Sequence, residues 1–326
     1  MKYAIFSDIH GNLPALEAAL ADAKEHGAGM FLFLGDYYMH YPFWVNEVVE
    51  TIRGLSDAVV IGGNNEGYLT SMRAEDQSAW TYAQFMPVYS SYRALKQENL
   101  DYLTSLPARN TVYDAGGDIY LSHLMDVFYR TPKIEAFHSS GFRKKMENEK
   151  FSHGEYLAYA REALLGRPEA LAEMRELPEG VYLFGHNHIQ FHIEMEGRLF
   201  VNPGSCGAAC DCNPGASYTI IEYIGGAEDD SGAGGGVQSG WRVLERKAAY
   251  DVDYTADILR KSTFAAEAPM WAEVIGRMLL TGADYFGPFV RHITQTGRRL
   301  GYQAAPMPDE VFARAVDTWD PDELYM

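Results

Sequence analysis

Several short apolar segments of the chain end in residue types that ligate metal ions. These residues are Asp8, His10, Asp36, Asn64, His123, His186 and His188. Carboxylate, imidazole and amide groups without a thiolate suit Mn, Fe, Zn, Co or Ni better than Ca. Such ions activate water and polarise phosphoryl oxygens. The residue types therefore predict a divalent-metal centre.

The segments before these residues have the pattern of buried strands. Residues 3–6, 30–34 and 58–61 are short apolar runs separated by helical spacing, which indicates parallel strands with helical crossovers. Asn12 is expected to cap the first crossover helix, which Gly27 ends. Because ligands bind beyond the carboxyl ends of such strands, the metal-ligating side chains are expected to converge there.

Two pairs of these residues share a spacing of two. Asp8 and His10 form one pair, and His186 and His188 form the other. In extended backbone this spacing places both side chains on the same side of the chain. One strand end is therefore expected to supply two ligands.

The order of the motifs resembles the calcineurin-like metallophosphoesterase family. Asp-x-His, Gly-Asp, Gly-Asn-x-Glu, a lone His and Gly-His-x-His follow one another within residues 1–250, and residues 202–205 and 250–252 resemble the small bacterial and archaeal phosphodiesterase branch. The resemblance implies an α/β fold, a four-layer α/β/β/α sandwich formed by residues 1–250. Residues 70–110 are expected to form a helical insertion, residues 225–240 a flexible glycine-rich loop, and residues 251–326 a C-terminal helical appendage. The segment 154–176 is predicted to be helical.

The resemblance also implies two metal ions that share one carboxylate. The first ion is assigned to Asp8, His10, Asp36 and His188, and the second to Asp36, Asn64, His123 and His186. Asp36 would bridge ions about 3.5–4 Å apart, and a hydroxide between them would attack phosphorus in line with the leaving group. Mn or Fe is favoured by the resemblance, and Zn, Co or Ni would also suit these ligands.

Residue 65 departs from the family pattern. Members with a full catalytic set have Gly-Asn-His-Asp/Glu, whose histidine contacts phosphate and protonates the leaving oxygen, whereas here Asn65 stands between Asn64 and Glu66. An amide is not a general acid near neutral pH. The sequence therefore favours substrates whose leaving group needs no proton. Asp36, Asn64, Asn65 and His123 form the expected catalytic set, and Asn65 is also expected to bind substrate.

An aromatic segment, residues 37–44, follows Asp36 and contains His40. One interpretation is that its rings stack on a nucleobase while His40 binds substrate or replaces the missing acid. The alternative is that most of these side chains pack beneath the next helix.

Composition restricts the partners and the compartment. The formal net charge of −18 over 326 residues disfavours nucleic-acid polymers and acidic membranes. The N-terminus lacks the apolar region of a signal peptide, and no run approaches ~18 apolar residues, so a cytoplasmic protein is expected. Cys206, Cys210 and Cys212 are expected to be free thiols. The sequence does not distinguish a monomer from a homo-oligomer.

Together, these features predict a metal-dependent phosphoric ester hydrolase acting on a small phosphorylated or nucleotide-like substrate. A phosphodiester or a phosphoanhydride is favoured because Asn65 cannot protonate a poor leaving group. Two alternatives stay open. One is a phosphomonoesterase, including a protein phosphatase, and the other is a catalytically weak metal-binding interaction scaffold.

Overall fold

The structure is a computed structural model that describes residues 1–129, 151–225 and 240–322, together with Phe137 and Lys145. The predicted glycine-rich loop therefore lies outside the described residues, except for its two ends. The strands are β1 (Lys2–Phe6), β2 (Met30–Phe33), β3 (Ala58–Val60), β4 (Arg109–Asp114), β5 (Gly117–Ser122), β6 (Gly180–Leu183), β7 (Gln190–Met195), β8 (Arg198–Pro203), β9 (Ala216–Tyr223) and β10 (Trp241–Ala248). The α-helices are α1 (Leu13–Glu25), α2 (Val45–Arg53), α3 (Asn64–Met72), α4 (Met86–Ala94), α5 (Gln97–Ser105), α6 (Asp126–Tyr129), α7 (His153–Leu165), α8 (Pro168–Glu176), α9 (Val252–Lys261), α10 (Thr263–Glu267), α11 (Pro269–Thr281), α12 (Phe286–Arg299) and α13 (Asp309–Asp317).

Two mixed sheets form the centre of the fold. The first has the strand order β10-β9-β1-β2-β3, and the second has the order β4-β5-β6-β8-β7. The predicted parallel pairing is found among β1, β2 and β3 and again among β5, β6 and β8. The other pairings are antiparallel. Consequently, the carboxyl ends of the central strands of each sheet lie at one edge.

The two sheets pack face to face, with helices on their outer faces. Ile5 and Leu32 of the first sheet share a buried apolar cluster with Ile119, Leu183 and Val201 of the second. Helices α1 and α2 pack on the outer face of the first sheet, and α7 and α8 pack on that of the second. Because the central strands are buried on both faces, they are continuous apolar runs in the sequence. The predicted four-layer α/β/β/α sandwich is confirmed.

Local signals placed the first crossover helix correctly. The Asn12 side chain accepts a hydrogen bond from Ala15 N at 3.3 Å and caps α1. Gly27, just beyond the end of the helix, has a φ of 76°, which favours glycine. The sequence signals at both ends of this helix therefore act as expected.

Two elements differ from the sequence-based expectations. Strand β4 was not predicted, and it lies at the edge of its sheet with partly or fully exposed side chains, so it has no apolar run. It also begins within the segment expected to be a helical insertion. The predicted helix 154–176 is divided into α7 and α8, because Gly166 caps the first and Pro168 begins the second.

The C-terminal helices pack in one buried cluster with residues of the sandwich such as Tyr41. Trp271, Phe289, Ile293 and Val311 are buried together in it. Trp271 Nε1 donates a hydrogen bond to the carbonyl of Ala83 at 2.9 Å, so these helices dock on the segment before α4. The expected helices are thus present after residue 250. None of the described helices combines the length and hydrophobicity needed to cross a lipid bilayer.

Candidate metal centre

The predicted ligands lie together where the strand ends of both sheets meet. One group contains Asp8, His10 and His188, another contains Asp36, His123 and His186, and the donor atoms within each group lie within 4.8 Å of one another. The groups adjoin, since His123 Nε2 is 3.4 Å from Asp36 Oδ2 and 3.9 Å from Asp8 Oδ1. Asn64 borders the same cavity as Asp36. The structure therefore brings six of the seven sequence-predicted ligands into two candidate metal-binding groups, with Asn64 at the adjoining cavity. The bridging role of Asp36 stays a prediction.

The backbone at these residues is left-handed rather than extended. Positive φ angles occur at Asp8 (54°), His10 (52°), Asp36 (61°), His186 (70°) and His188 (57°). The expectation of extended backbone at the two pairs is therefore wrong, although their side chains do converge. Such φ angles cost about 1–3 kcal/mol for each residue and persist only where the surroundings enforce them.

Backbone hydrogen bonds between the two loops after β1 and β2 enforce this conformation. Asp8 N donates to Gly35 O at 3.0 Å, and His10 N donates to Asp36 O at 3.0 Å. Gly11 N then donates to Tyr37 O at 2.9 Å. The parallel pairing of the strands thus continues through the loops that carry three of the ligands.

Glu66 fastens the Asp36 loop to the start of α3. Its buried carboxylate accepts hydrogen bonds from the backbone N–H groups of Gly63 at 2.7 Å, Asp36 at 2.9 Å and Tyr37 at 3.0 Å. Burial, followed by the nearby carboxylate of Asp36, raises the pKa of Glu66 to about 7. Glu66 is part of the Gly-Asn-x-Glu motif, but the motif alone does not indicate that its side chain anchors the Asp36 loop.

Backbone carbonyls orient three of the imidazoles. The Nδ1 atoms of His10, His123 and His188 lie 3.3, 2.8 and 2.6 Å from the carbonyl oxygens of Tyr38, Leu34 and Ala208, respectively. A carbonyl oxygen only accepts, so each Nδ1 must carry the proton of its hydrogen bond. Each Nε2 is then directed at the centre, which is how histidine ligands are commonly held.

Buried polar atoms that lack hydrogen-bond partners indicate whether metal ions fit this centre. Asp8 Oδ2 accepts from His186 N at 3.0 Å, whereas Asp8 Oδ1 has His188 Nε2 at 3.2 Å without a well-formed hydrogen bond. Asn64 Oδ1 is buried without a hydrogen-bond partner, and His123 Nε2 lies 3.4 Å from Asp36 Oδ2, again without a well-formed hydrogen bond. His10 Nε2 also lies only 3.2 Å from His188 Nε2. A buried acceptor without a hydrogen-bond partner destabilises the folded protein, and one bound cation can interact with several such acceptors. The donor set therefore fits divalent metal ions.

Charges within the centre shift the pKa values in opposite directions. Burial would raise the pKa of Asp8, but the imidazoles of His188 and His123 hold it well below its usual range. Burial lowers the pKa of His10 and of His186 to about 4. Burial would also lower the pKa of His123, but Asp36 and Asp8 raise it to about 9. Protons and metal ions therefore compete for His123 Nε2.

Asn65, the residue that departs from the family pattern, is held within the centre. Its N–H donates to Asp36 Oδ1 at 3.0 Å, and its Oδ1 accepts from Asn64 Nδ2 at 3.0 Å. Its Nδ2 lies 3.5 Å from His10 Nδ1. Asn65 also borders the adjoining cavity, so its position is compatible with the predicted contact to substrate.

Side chains of the aromatic segment, residues 37–44, have two kinds of environment, the protein interior and the edge of the cavity. Tyr37 and Tyr38 are buried, and their hydroxyls donate to the carbonyls of Ile61 at 2.6 Å and Asn65 at 2.8 Å. These rings therefore pack in the protein. His40 borders the cavity instead, with its ring stacked on that of His10 at 4.3 Å between centroids. Burial lowers the pKa of His40 well below its usual value.

Two of the three cysteines are buried near the centre. Cys206, Cys210 and Cys212 are free thiols, and Cys210 Sγ lies 3.7 Å from His188 Nδ1. Burial raises the pKa of Cys210 to about 11. This thiol is therefore protonated near neutral pH, as expected of a packed side chain rather than a metal-ligating thiolate.

A cavity of about 690 Å³ opens beside the metal centre. It is bordered by His10 and Asn65 on one side and by the C-terminal residues Trp271 and Phe286 on another. The sequence left open whether the C-terminal helices cover the cleft or form a subunit interface, and the structure places them beside the cavity. Their apolar faces gave the only signal, and these do not specify what they pack against.

A two-sheet sandwich with paired carboxylate and imidazole groups at its strand ends is the arrangement expected of the metallophosphoesterases. The calcineurin-like phosphoesterase superfamily domain matches residues 1–225. The chain therefore belongs to this superfamily of phosphoric ester hydrolases.

Similar proteins come from archaea and bacteria. An uncharacterized protein of Methanocaldococcus jannaschii, MJ0912, is 28% identical over 234 residues, which cover 67% of this chain and 82% of the relative. A metallophosphoesterase structure from Sphaerobacter thermophilus has a TM-score of 0.57 at 22% identity and covers 87% of this chain and 100% of its own. The hypothetical protein PH1004 from Pyrococcus horikoshii has a TM-score of 0.53 at 16% identity and covers 87% of this chain and 99% of its own. The two structures support the fold.

We expect Glu66→Gln to lower the free energy of unfolding by about 1–3 kcal/mol, because glutamine presents an NH₂ group to buried N–H donors that the carboxylate accepts. Urea unfolding of the metal-free protein measures this change. Glu98→Gln, on the exposed surface of α5, is the control and should change it little. Equal small changes in both variants would contradict the role assigned to Glu66.

Metal binding should release protons. Because the pKa of His123 is raised to about 9, its imidazole is protonated at pH 7.5 and must lose a proton to ligate Mn²⁺. The affinity should therefore increase as the pH rises toward 9. Calorimetry in two buffers of different ionisation enthalpy counts the protons. On binding Mn²⁺, His123→Gln should release fewer protons than the unmodified protein. The control His292→Gln should release as many. If the unmodified protein releases no protons at pH 7.5, the prediction is wrong.

Proposed function

We propose that this protein hydrolyses a phosphodiester or phosphoanhydride of a small nucleotide-like molecule with two divalent metal ions. The observation that carries the proposal is the pair of adjoining donor groups with buried, unpaired acceptors beside a cavity. When bound, such ions neutralise phosphate charge and activate water as the nucleophile. Mn or Fe is the favoured metal, and Zn, Co or Ni also suits these donors.

The proposal assigns each ion four ligands. The first ion is held by Asp8, His10, Asp36 and His188, and the second by Asp36, Asn64, His123 and His186. Asp36 has two carboxylate oxygens, and one of them lies 3.4 Å from Nε2 of His123, a ligand assigned to the second ion. This position supports Asp36 as a ligand shared by both ions. Asn64 offers a neutral oxygen that has no hydrogen-bond partner.

Asn65 and His40 are the proposed substrate contacts. Both border the cavity, and both lie against His10. The Asn65 amide can donate a hydrogen bond to a phosphoryl oxygen, but it has no proton to give to a leaving oxygen. The proposed substrate therefore has a leaving group that departs as a stable anion, as in an activated diester or an anhydride.

The interaction-scaffold alternative is less well supported by the same geometry. A scaffold does not require a cavity at the metal centre, nor five ligand residues held at unfavourable φ angles. Strain of this kind is typical of sites where the placement of reacting groups matters. Hydrolysis is therefore the function that we propose.

Hydrolysis of bis(p-nitrophenyl) phosphate with Mn²⁺ tests the proposal, because p-nitrophenolate leaves without a proton. We expect turnover that EDTA abolishes. Asp36→Asn should reduce kcat by more than about 100-fold, since the metal ions contribute several kcal/mol. It should also bind fewer than two Mn²⁺ per chain by elemental analysis.

Asp57→Asn, at an exposed position, is the control and should keep turnover and both ions. No turnover with two ions bound would contradict the proposed diester hydrolysis. A phosphomonoesterase would then be recognised by hydrolysis of p-nitrophenyl phosphate, and the scaffold by the failure of both substrates.

Asn65→His should restore a general acid. Such groups contribute about 10²–10⁴-fold when the leaving group is poor and little when it is good. The rate of hydrolysis should therefore increase more for an alkyl phosphodiester than for bis(p-nitrophenyl) phosphate. Asn65→Ala, which removes the amide without adding an acid, is the control. Equal acceleration of both substrates would remove the argument about the leaving group.

A further inference from the structure

The cavity beside the metal centre extends between α3, the segment around α4, and the C-terminal helices. Its volume of about 690 Å³ is in the usual range for sites that enclose a small organic molecule. Away from the metal centre, its wall is formed mainly by apolar side chains. These include Met72, Val88, Trp271, Phe286 and Ile293.

The charge of the wall is unsuited to further phosphate groups. Among the described residues that border the cavity there is no lysine or arginine, whereas Glu75 and Asp284 contribute carboxylates. Each added phosphate would bring negative charge to an apolar wall that offers no cation, and burial of an unpaired charge is costly. Only the phosphoryl group at the metal centre would therefore meet positive charge.

Aromatic rings connect the metal centre to this wall. The His40 ring stacks on His10, and the Phe286 ring lies 5.1 Å from that of His40 between centroids. Trp271 lies 4.9 Å beyond Phe286. This row of rings begins beside the candidate ligand His10. It is therefore placed to contact an ester group on the phosphorus atom that the metal centre would hold.

One face of α12 supplies much of the wall. Phe286, Val290, Ile293 and Thr294 all border the cavity, and their spacing of three and four residues places them on one side of a helix. Val290 is 41% exposed, and Tyr68 of α3, which also borders the cavity, is 51% exposed. These two side chains therefore mark the solvent-facing side of the cavity.

We propose that the cavity is a subsite for an uncharged aromatic ester group on a substrate with a single phosphoryl group. The inference rests on the proposed function, because the metal centre must hold that phosphoryl group. It restricts the proposed substrates to phosphodiesters, since a phosphoanhydride has at least two phosphoryl groups. Residues such as Phe286 and Val290 form one part of the wall and lie beyond the family match at residues 1–225, whereas Met72 and Val88 lie within it. The C-terminal helices therefore contribute to specificity together with α3 and the segment around α4, and this wall excludes a polyphosphate chain from the subsite.

Two diesters with the same leaving group test the subsite. Hydrolysis of phenyl p-nitrophenyl phosphate or methyl p-nitrophenyl phosphate adds water, breaks the bond to p-nitrophenolate and leaves phenyl or methyl phosphate. We expect KM to be at least about tenfold lower for the phenyl ester. Phe286→Ala should reduce the phenyl-to-methyl ratio of kcat/KM by about tenfold.

Matched variants control for folding and for intrinsic reactivity. Phe286→Leu keeps most of the apolar volume and should reduce the ratio less than alanine does. Gln295→Ala, on the exposed side of α12, should leave the ratio unchanged. Because every variant is compared with the unmodified protein on the same two substrates, their intrinsic reactivities cancel. A ratio that Phe286→Ala leaves unchanged would overturn the subsite.

Binding to metal-free protein separates the subsite from the proposed function. By calorimetry in EDTA, the uncharged probe 1-naphthol should bind, Phe286→Ala should weaken its binding by about tenfold, and inorganic tripolyphosphate should not bind. Binding of 1-naphthol without turnover of either diester supports the subsite and contradicts the proposed hydrolysis. Turnover without a phenyl preference contradicts the subsite and supports the hydrolysis.

Discussion

Two carboxylates, Asp8 and Asp36, lie buried where the sheets meet, and the surrounding structure depends on compensating their charge. An unpaired buried carboxylate costs several kcal/mol. One oxygen of each accepts a backbone N–H, from His186 and Asn65 respectively, and the imidazole of His123 lies near both side chains. Asp8 follows a strand of the first sheet, and His186 follows a strand of the second. The hydrogen bond between them therefore also connects the two sheets.

The backbone has to approach these carboxylates closely. A Cβ atom at Gly185 would collide with Ser7 Oγ, and one at Gly63 would collide with Asp36 Oδ1. The left-handed φ angles of the ligands belong to the same constraint, because they direct side chains from different strand ends toward one point. Their cost is offset by hydrogen bonds such as those that Glu66 accepts from the Asp36 loop.

The sequence predicted those features that depend on local pattern. Buried strands such as β1 and β2 are apolar runs, and the ligands follow them directly, so the sheets and the centre were predictable. Edge strand β4 was missed because its side chains are largely exposed and lack such a run. The left-handed turns depend on pairing between distant loops. The position of Phe286 beside His40 depends on packing across the chain, for which no local pattern exists.

The candidate metal ligands and part of the cavity wall come from different regions of this chain. The ligands follow strands of the sandwich, within the residues that match the superfamily, whereas Trp271, Phe286 and Val290 of the wall lie beyond them. A wall on separate helices can change its side chains without moving a ligand. The contact from Phe286 through His40 to His10 limits this independence, because the rings pack against one another. A shift of α12 would therefore be transmitted to a ligand, so the shape of the cavity and the geometry of the ligands are coupled through these rings.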